Sequence, residues 1–229
     1  MVRTLQGRGF LTMLYSNPTW WDDESPTFRQ LDPANVVLYE APGVPRYECY
    51  THSAGPPACS VENARRDSAF NQSHPYEMLH GGYVVSPWAP LVRERLNQQI
   101  AELTEQVPND ILFQDQVGAR SNYTDYGPFA PTATSYAQGW LEHTRSLSGK
   151  LLMTEGGIDR LAQTEIGFNG GLLLDEITGD AARRWGDQAG WYAFPFAPML
   201  GRDKVLFYQH NLAPASMTAS KQALSWNAS

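Results

Sequence analysis

The chain has 229 residues, 42% of them hydrophobic and 12% aromatic, enough for one sizeable core or for part of a larger one. A net charge of −7 argues against a nucleic-acid partner, which selects a basic face. No apolar run reaches the roughly eighteen residues of a membrane span, and MVRTLQGRGFLTMLYSNP at the start has neither the apolar stretch nor the cleavage site of a signal peptide.

In chain order, the first apolar run is FLTMLYSNPTWW (10–21), which ends in Asn17, Pro18, Trp20 and Trp21. NVVLYE (35–40) ends in Glu40. Residues 41–80 follow as a long irregular insertion rich in Pro and Gly, and loops of this length are functional or disordered. It holds both cysteines, Cys49 and Cys59, whose spacing suits a disulfide of an exported protein or two free thiols. The disulfide reading favours an extracellular or periplasmic location. His52 lies nearby, but the spacing matches no zinc pattern.

GGYVVSPWAP (81–90) reads as a strand running into Ser86, Pro87 and Trp88. From Pro90 a helix is predicted, with Val92, Leu96, Ile100, Leu103 and Val107 stepping by three or four residues, and with proline where a first turn accepts it. ILFQDQVGAR (111–120) is a buried strand that drives into Asp115. Residues 132–147 are predicted helical, with Ala137, Trp140, Leu141 and Thr144 on one side. KLLMTEGG (150–157) is a strand ending at Glu155, and 159–168 is a shorter helix candidate. KVLFYQHN (204–211) closes the series at Gln209, His210 and Asn211.

Continuous apolar runs of this kind fit strands buried on both faces of a parallel sheet. Their alternation with helices predicts an α/β fold. A doubly wound nucleotide-binding sheet competes, but neither GxGxxG nor GxxxxGK[ST] occurs. Polar residues at the ends of several strands instead predict a (β/α)₈ TIM-type barrel. Five or six strands are visible where the barrel needs about eight. The expectation is therefore an incomplete barrel: one domain over 1–229 with the insertion at 41–80, inside a longer parent.

Asp115 and Glu155 each end a predicted strand, with one loop and one helix between them. That is one β/α unit, so the two strands should be neighbours whose ends face one cleft. Two carboxylates across a cleft are the working pair of a glycosidase, retaining at about 5–5.5 Å separation and inverting at about 6.5–9.5 Å. The competing explanation is structural: acids at strand ends cap helices or bridge to arginines such as Arg120 and Arg160. Tyr15, Trp20, Trp21 and Trp88 are the predicted stacking faces for a sugar. Arg120, Asp125, Asp159, Arg160 and His210 are the predicted hydroxyl-binding groups.

Other chemistries lack their residues. The five histidines form no HExxH and no paired ligands, so no metal site and no cofactor are expected. GxSxG is absent, and neither cysteine adjoins a predicted strand end. The sequons at Asn71, Asn122 and Asn227 are short enough to arise by chance.

LYSNPTWW, YVVSPWAPLVRERL, ILFQDQVGAR, LLMTEGGIDRL and VLFYQHNLAPASMT together resemble a barrel family of glycoside hydrolases, the group of endo-α-N-acetylgalactosaminidases and related bacterial glycosidase-like proteins. The resemblance covers residues 10–229 apart from 41–80, and its most specific pieces are DQ-G-R and TEGG-DRL. It implies retention at an α-linked sugar, with Asp115 as nucleophile and Glu155 as acid/base. Trp20, Trp88, Asp125 and His210 carry over by context alone. The early strands and the C-terminal β domains of such enzymes are missing from these residues. The expected partner is a carbohydrate. The alternative is a carbohydrate-binding or degenerate barrel that has kept the aromatics and lost turnover.

Overall fold

The computed structural model describes residues 1–51, 79–171, 201 and 203–208. The chain forms two compact units, one from Met1–Ser16, Gln106–Ser121 and Thr144–Ser229, the other from Asn17–Glu105 and Asn122–His143. Strands and helices are numbered along the chain.

The first unit is built on a parallel sheet of β1 (Met13–Ser16), β7 (Ile111–Gln114), β8 (Leu151–Gly157), β9 (Gly167–Gly171) and β10 (Leu206–Tyr208), in that spatial order. Order in space follows order in the chain without the reversal that a doubly wound sheet requires. Side chains alternate between the faces as the pleat dictates. Ile111, Phe113 and Met153 form a cluster on one face, with Ile166 packed against it. Leu112, Gln114, Leu152 and Thr154 point to the other and are buried as well. Burial on both faces is why ILFQ and LLMT carry no polar alternation. At the base of β1, Thr12 donates from N and Oγ1 to Asp110 Oδ2, both at 2.8 Å, which sets β1 against β7.

The second unit holds an antiparallel sheet of β2 (Trp20–Asp22), β6 (Leu79–Val84) and β5 (Tyr47–Thr51), ordered β2-β6-β5. A small hairpin joins β3 (Tyr39–Ala41) to β4 (Val44–Pro45) through Gly43, whose φ of +76° is left-handed and favours glycine. Helix α2 (Pro90–Gln106) buries Val92 and Ile100. Helix α3 (Tyr136–Ser146) buries Tyr136, Trp140 and Leu141.

The chain is α/β with a parallel central sheet, as its alternating pattern predicts. Several elements differ from expectation. GGYVV belongs to β6 and pairs antiparallel with β2 and β5, so it is not in the parallel sheet. An apolar run records burial and carries no information on strand direction. NVVLYE buries Val36, Val37 and Leu38, but only Tyr39 onward is strand. The described residues of the insertion at 41–80 include β4, β5 and the start of β6. The helix predicted over 159–168 is a 3-10 segment, Asp159–Gln163, followed by β9. Helix α3 starts at Tyr136 and not at Thr132. The short helix α1 (Val2–Gln6) and strand β2 have no counterpart in the periodicity. Cys49 is disulfide-bonded, which removes the free-thiol reading. The chain's other cysteine, Cys59, lies outside the described residues. Among the described residues, no helix is long and apolar enough to cross a membrane.

Candidate active site

Strands β7 and β8 pair in register through Gln114 and Thr154. Asp115 and Glu155 are the next residue on each. They continue the face of Phe113 and Met153, which are themselves paired. Asp115 N still donates to Ser16 O, at 2.8 Å, so the ladder with β1 extends one residue past β7. Parallel neighbours are about 4.8 Å apart, so the two carboxylates emerge side by side from one sheet edge. Both residues are half-buried.

Tyr15, on β1, stacks on Phe113 at 6.0 Å and donates its hydroxyl to Asp115 Oδ2 at 2.6 Å. This contact holds one of the two carboxylate oxygens of Asp115 in place. On the far side, Glu155 is in register with Asn169 of β9. Asn169 has no counterpart in the sequence-based list, because FNGG offers too little apolar pattern to be read as a strand.

The turn after β7 locks onto the C-terminal end of β8. Thr154 Oγ1 donates to Gln114 O (2.8 Å) and accepts from Gly118 N (3.1 Å), while Ala119 N donates to Glu155 O (2.9 Å). A Cβ on Gly118 would overlap the Gly156 carbonyl, and one on Gly156 would stand 2.6 Å from Ala119 Cα. Gly156 has φ +67°, and Gln116, just after Asp115, is also left-handed at +62°. The glycines of the two most specific motifs, VGAR and TEGG, therefore meet backbone to backbone. Gly118→Ala should destabilise this unit by about 3 kcal/mol through overpacking, read as a lower denaturant midpoint. An unchanged midpoint would show that this turn and the end of β8 do not press together.

The remaining predicted residues divide. In the first unit, Arg120 is buried, and Asp159 and Arg160 are exposed on the 3-10 segment after β8. Asp159 Oδ1 accepts from Arg160 N at 2.8 Å. In the second unit, Asp125 is 1% exposed and accepts from Ser86 Oγ (2.5 Å), Gly127 N (2.8 Å) and Tyr39 N (3.3 Å). Its carboxylate is occupied in tying a loop to β3, where a hydroxyl-binding group was expected. Trp88 Nε1 donates to Ser135 O (3.0 Å), and the Arg93 guanidinium lies 5.2 Å from the Trp88 ring. Trp20 and Trp21 line a cavity of the second unit. His210 lies outside the described residues.

Glu165, two residues before β9, is the other feature that pattern reading missed. It is 3% exposed, and neither carboxylate oxygen has a hydrogen-bond partner. Burial pushes its carboxyl up to about 8. Among the described residues, no cluster of His, Cys, Asp and Glu is arranged to hold a metal ion.

No protein-family model matches the chain, and no curated protein matches it in sequence. Solved structures do match its fold. The α-N-acetylgalactosaminidase NagBb from Bifidobacterium bifidum, in complex with Gal-NHAc-DNJ, aligns at TM-score 0.55 and 15% identity over 89% of this chain and 27% of that one. A quadruple mutant of the same enzyme aligns at 0.56 and 14%, over 89% and 28%. Ega3 from Aspergillus fumigatus, in complex with galactosamine, aligns at 0.51 and 8%, over 97% of this chain and 72% of that one. The chain thus spans about 27% of the length of the B. bifidum enzyme. At these identities the likeness is one of fold, and the fold is glycosidase-like.

Proposed function

We propose that this chain is part of the catalytic barrel of a retaining glycoside hydrolase that acts on an α-linked sugar, with Asp115 as nucleophile and Glu155 as acid/base. The observation that carries the reading is the pair itself: two carboxylates leaving adjacent parallel strands on one face, the first held by Tyr15. The chain-order sequence of β1, β7, β8, β9 and β10 is the order of a singly wound barrel, with the reacting groups at the C-terminal edge where such barrels act.

In the first step an Asp115 oxygen bonds to the anomeric carbon while the glycosidic C–O bond breaks. Glu155 gives its proton to the departing oxygen. In the second step the Glu155 carboxylate takes a proton from water, whose oxygen bonds to the anomeric carbon and frees Asp115. Tyr15 restrains Asp115 Oδ2 throughout, and Asn169 is in register with Glu155 on the neighbouring strand. An amino-sugar substrate is favoured by the two neighbours solved with Gal-NHAc-DNJ and with galactosamine.

The test is the stereochemistry of the first-formed sugar. The full-length protein is given α- and β-linked aryl galactosides and N-acetylgalactosaminides, and the released sugar is followed by proton NMR before it mutarotates. The α-substrate should give the α-anomer first. A β-anomer from an α-substrate would sink the double displacement, and no release from any member of the panel would favour the non-hydrolytic barrel.

A further inference from the structure

We propose that a cavity in the second unit is a binding site for a neutral saccharide ring. The cavity, about 280 Å³, lies between Trp20 and Trp21 of β2 and the side of α2 that carries Val92, Arg95, Leu96, Gln98 and Glu102. Neither Asp115 nor Glu155 is in its wall, and the proposal does not rest on their chemistry.

One wall is aromatic and rigid. Trp20 lies over Gly82, where a Cβ would come within 2.6 Å of the indole ring. Trp21 meets Phe28 edge to face at 5.7 Å and donates Nε1–H to Ser25 Oγ at 3.1 Å. Both indoles are thus fixed before any ligand arrives, which lowers the entropic cost of binding.

The facing wall is a polar rail on one side of α2. Arg95 Nη1 donates to Gln98 Oε1 at 3.1 Å, and Gln98 Nε2 donates to Glu102 Oε1 at 2.9 Å. The spacing of three and four residues keeps these planar groups on one helix face. Asn17 is also in the lining, its Oδ1 held by Thr19 N and Oγ1 at 3.2 and 2.8 Å, and Pro18, Val85, Val92 and Leu96 add apolar surface.

A sugar ring offers what these two walls need: apolar C–H faces for the indoles, and hydroxyls that donate and accept for the planar amide, guanidinium and carboxylate. Other ligands fit less well. An apolar molecule would strip water from the rail and return no hydrogen bonds. A phosphate or acidic sugar would meet Glu102 as well as Arg95, and the rail carries no net charge. The volume lies just below the roughly 300–1,000 Å³ of small-molecule sites, which limits the occupant to about one ring.

The experiment follows the indole N–H resonances of the ¹⁵N-labelled protein, with Trp20 and Trp21 assigned through Trp20→Phe and Trp21→Phe. Methyl galactoside, methyl N-acetylgalactosaminide and methyl glucoside are titrated in turn. At least one should move both resonances saturably. Affinity should fall tenfold or more in Arg95→Ala/Gln98→Ala, whose altered side chains are exposed on the helix surface, and should hold in Asp115→Asn. Three results would overturn the proposal: no saturable shift with any sugar, shifts indifferent to the α2 variants, or saturation by cyclohexanol with none by the sugars.

Discussion

Asp115→Asn should lower turnover of an α-linked aryl glycoside by roughly 10⁴-fold or more, the scale on which a lost nucleophile is felt. The amide keeps the shape of the carboxylate and its contact with Tyr15 Oη, so the variant should fold with an unchanged denaturant midpoint. What it loses is the charge that attacks the anomeric carbon. Glu155→Gln should cost less, roughly 10²–10⁴-fold, the worth of general acid/base catalysis. An aryl leaving group needs little protonation, so the surviving defect should lie in the second step, where water must be activated. A small anionic nucleophile such as azide, which needs no base, should restore much of the rate in Glu155→Gln. Tyr15→Phe removes one hydrogen bond to a charged oxygen, worth about 1.5–3 kcal/mol. It should therefore fall between the wild type and Asp115→Asn, by about 10- to 100-fold in kcat/KM. If Asp115→Asn or Glu155→Gln turned over as fast as the wild type, the two-carboxylate mechanism would be wrong.

Part of this site was legible in the sequence and part was not, and the division has a physical cause. ILFQ and LLMT could be read because strands buried on both faces leave continuous apolar runs, and the acids that follow stand out against them. Of the two strand partners of β7, β8 was expected from the sequence and β1 could not be read. GGYVV is as apolar as FLTMLYS, yet it runs antiparallel in another sheet, because an apolar run fixes burial and leaves pairing to tertiary contacts. Strand β9 was invisible for a different reason. A Cβ at Gly157, on the neighbouring β8, would overlap the Phe168 ring of β9, and one at Gly167 would lie 2.8 Å from the flexible end of Met153. Close packing thus removed the side chains that periodicity needs. Asp125 shows a third limit. A carboxylate on a loop after a strand looks like a ligand group until its three internal donors are known. Tyr15 shows the converse: it is exposed, as a stacking residue would be, but its hydroxyl rests on Asp115, a hundred residues away in the chain.

The second large effect concerns stability and not turnover. The Glu165 carboxyl ionises only at about 8 in the fold, against 4.5 when unperturbed, because burial strips its charge of water. Below pH 4.5 the folded and unfolded chains both hold the proton, and Glu165 costs nothing extra. Between 4.5 and 8 the unfolded chain releases it first, so the first unit loses stability steadily as pH rises. Once both forms have ionised, the loss is on the order of 5 kcal/mol, a large share of the roughly 5–15 kcal/mol that holds a domain together. Glu165→Gln should remove this slope: near wild type at pH 4, and several kcal/mol more stable at pH 8, by urea denaturation at each pH. His143 acts in the opposite sense on the second unit. Burial and then the Arg93 charge bring its imidazole from 6.5 to about 4, so stability there falls as pH drops from 6.5 to 4. The consequence reaches the proposed catalytic pair. Glu165 leads directly into β9, which sets Asn169 beside Glu155. An alkaline fall in activity would otherwise be assigned to deprotonation of the catalytic acid. If it arises from β9 losing its seat, Glu165→Gln should carry activity to higher pH and leave the rate on the plateau unchanged. An alkaline limb that stays in place in Glu165→Gln would return the titration to the catalytic pair.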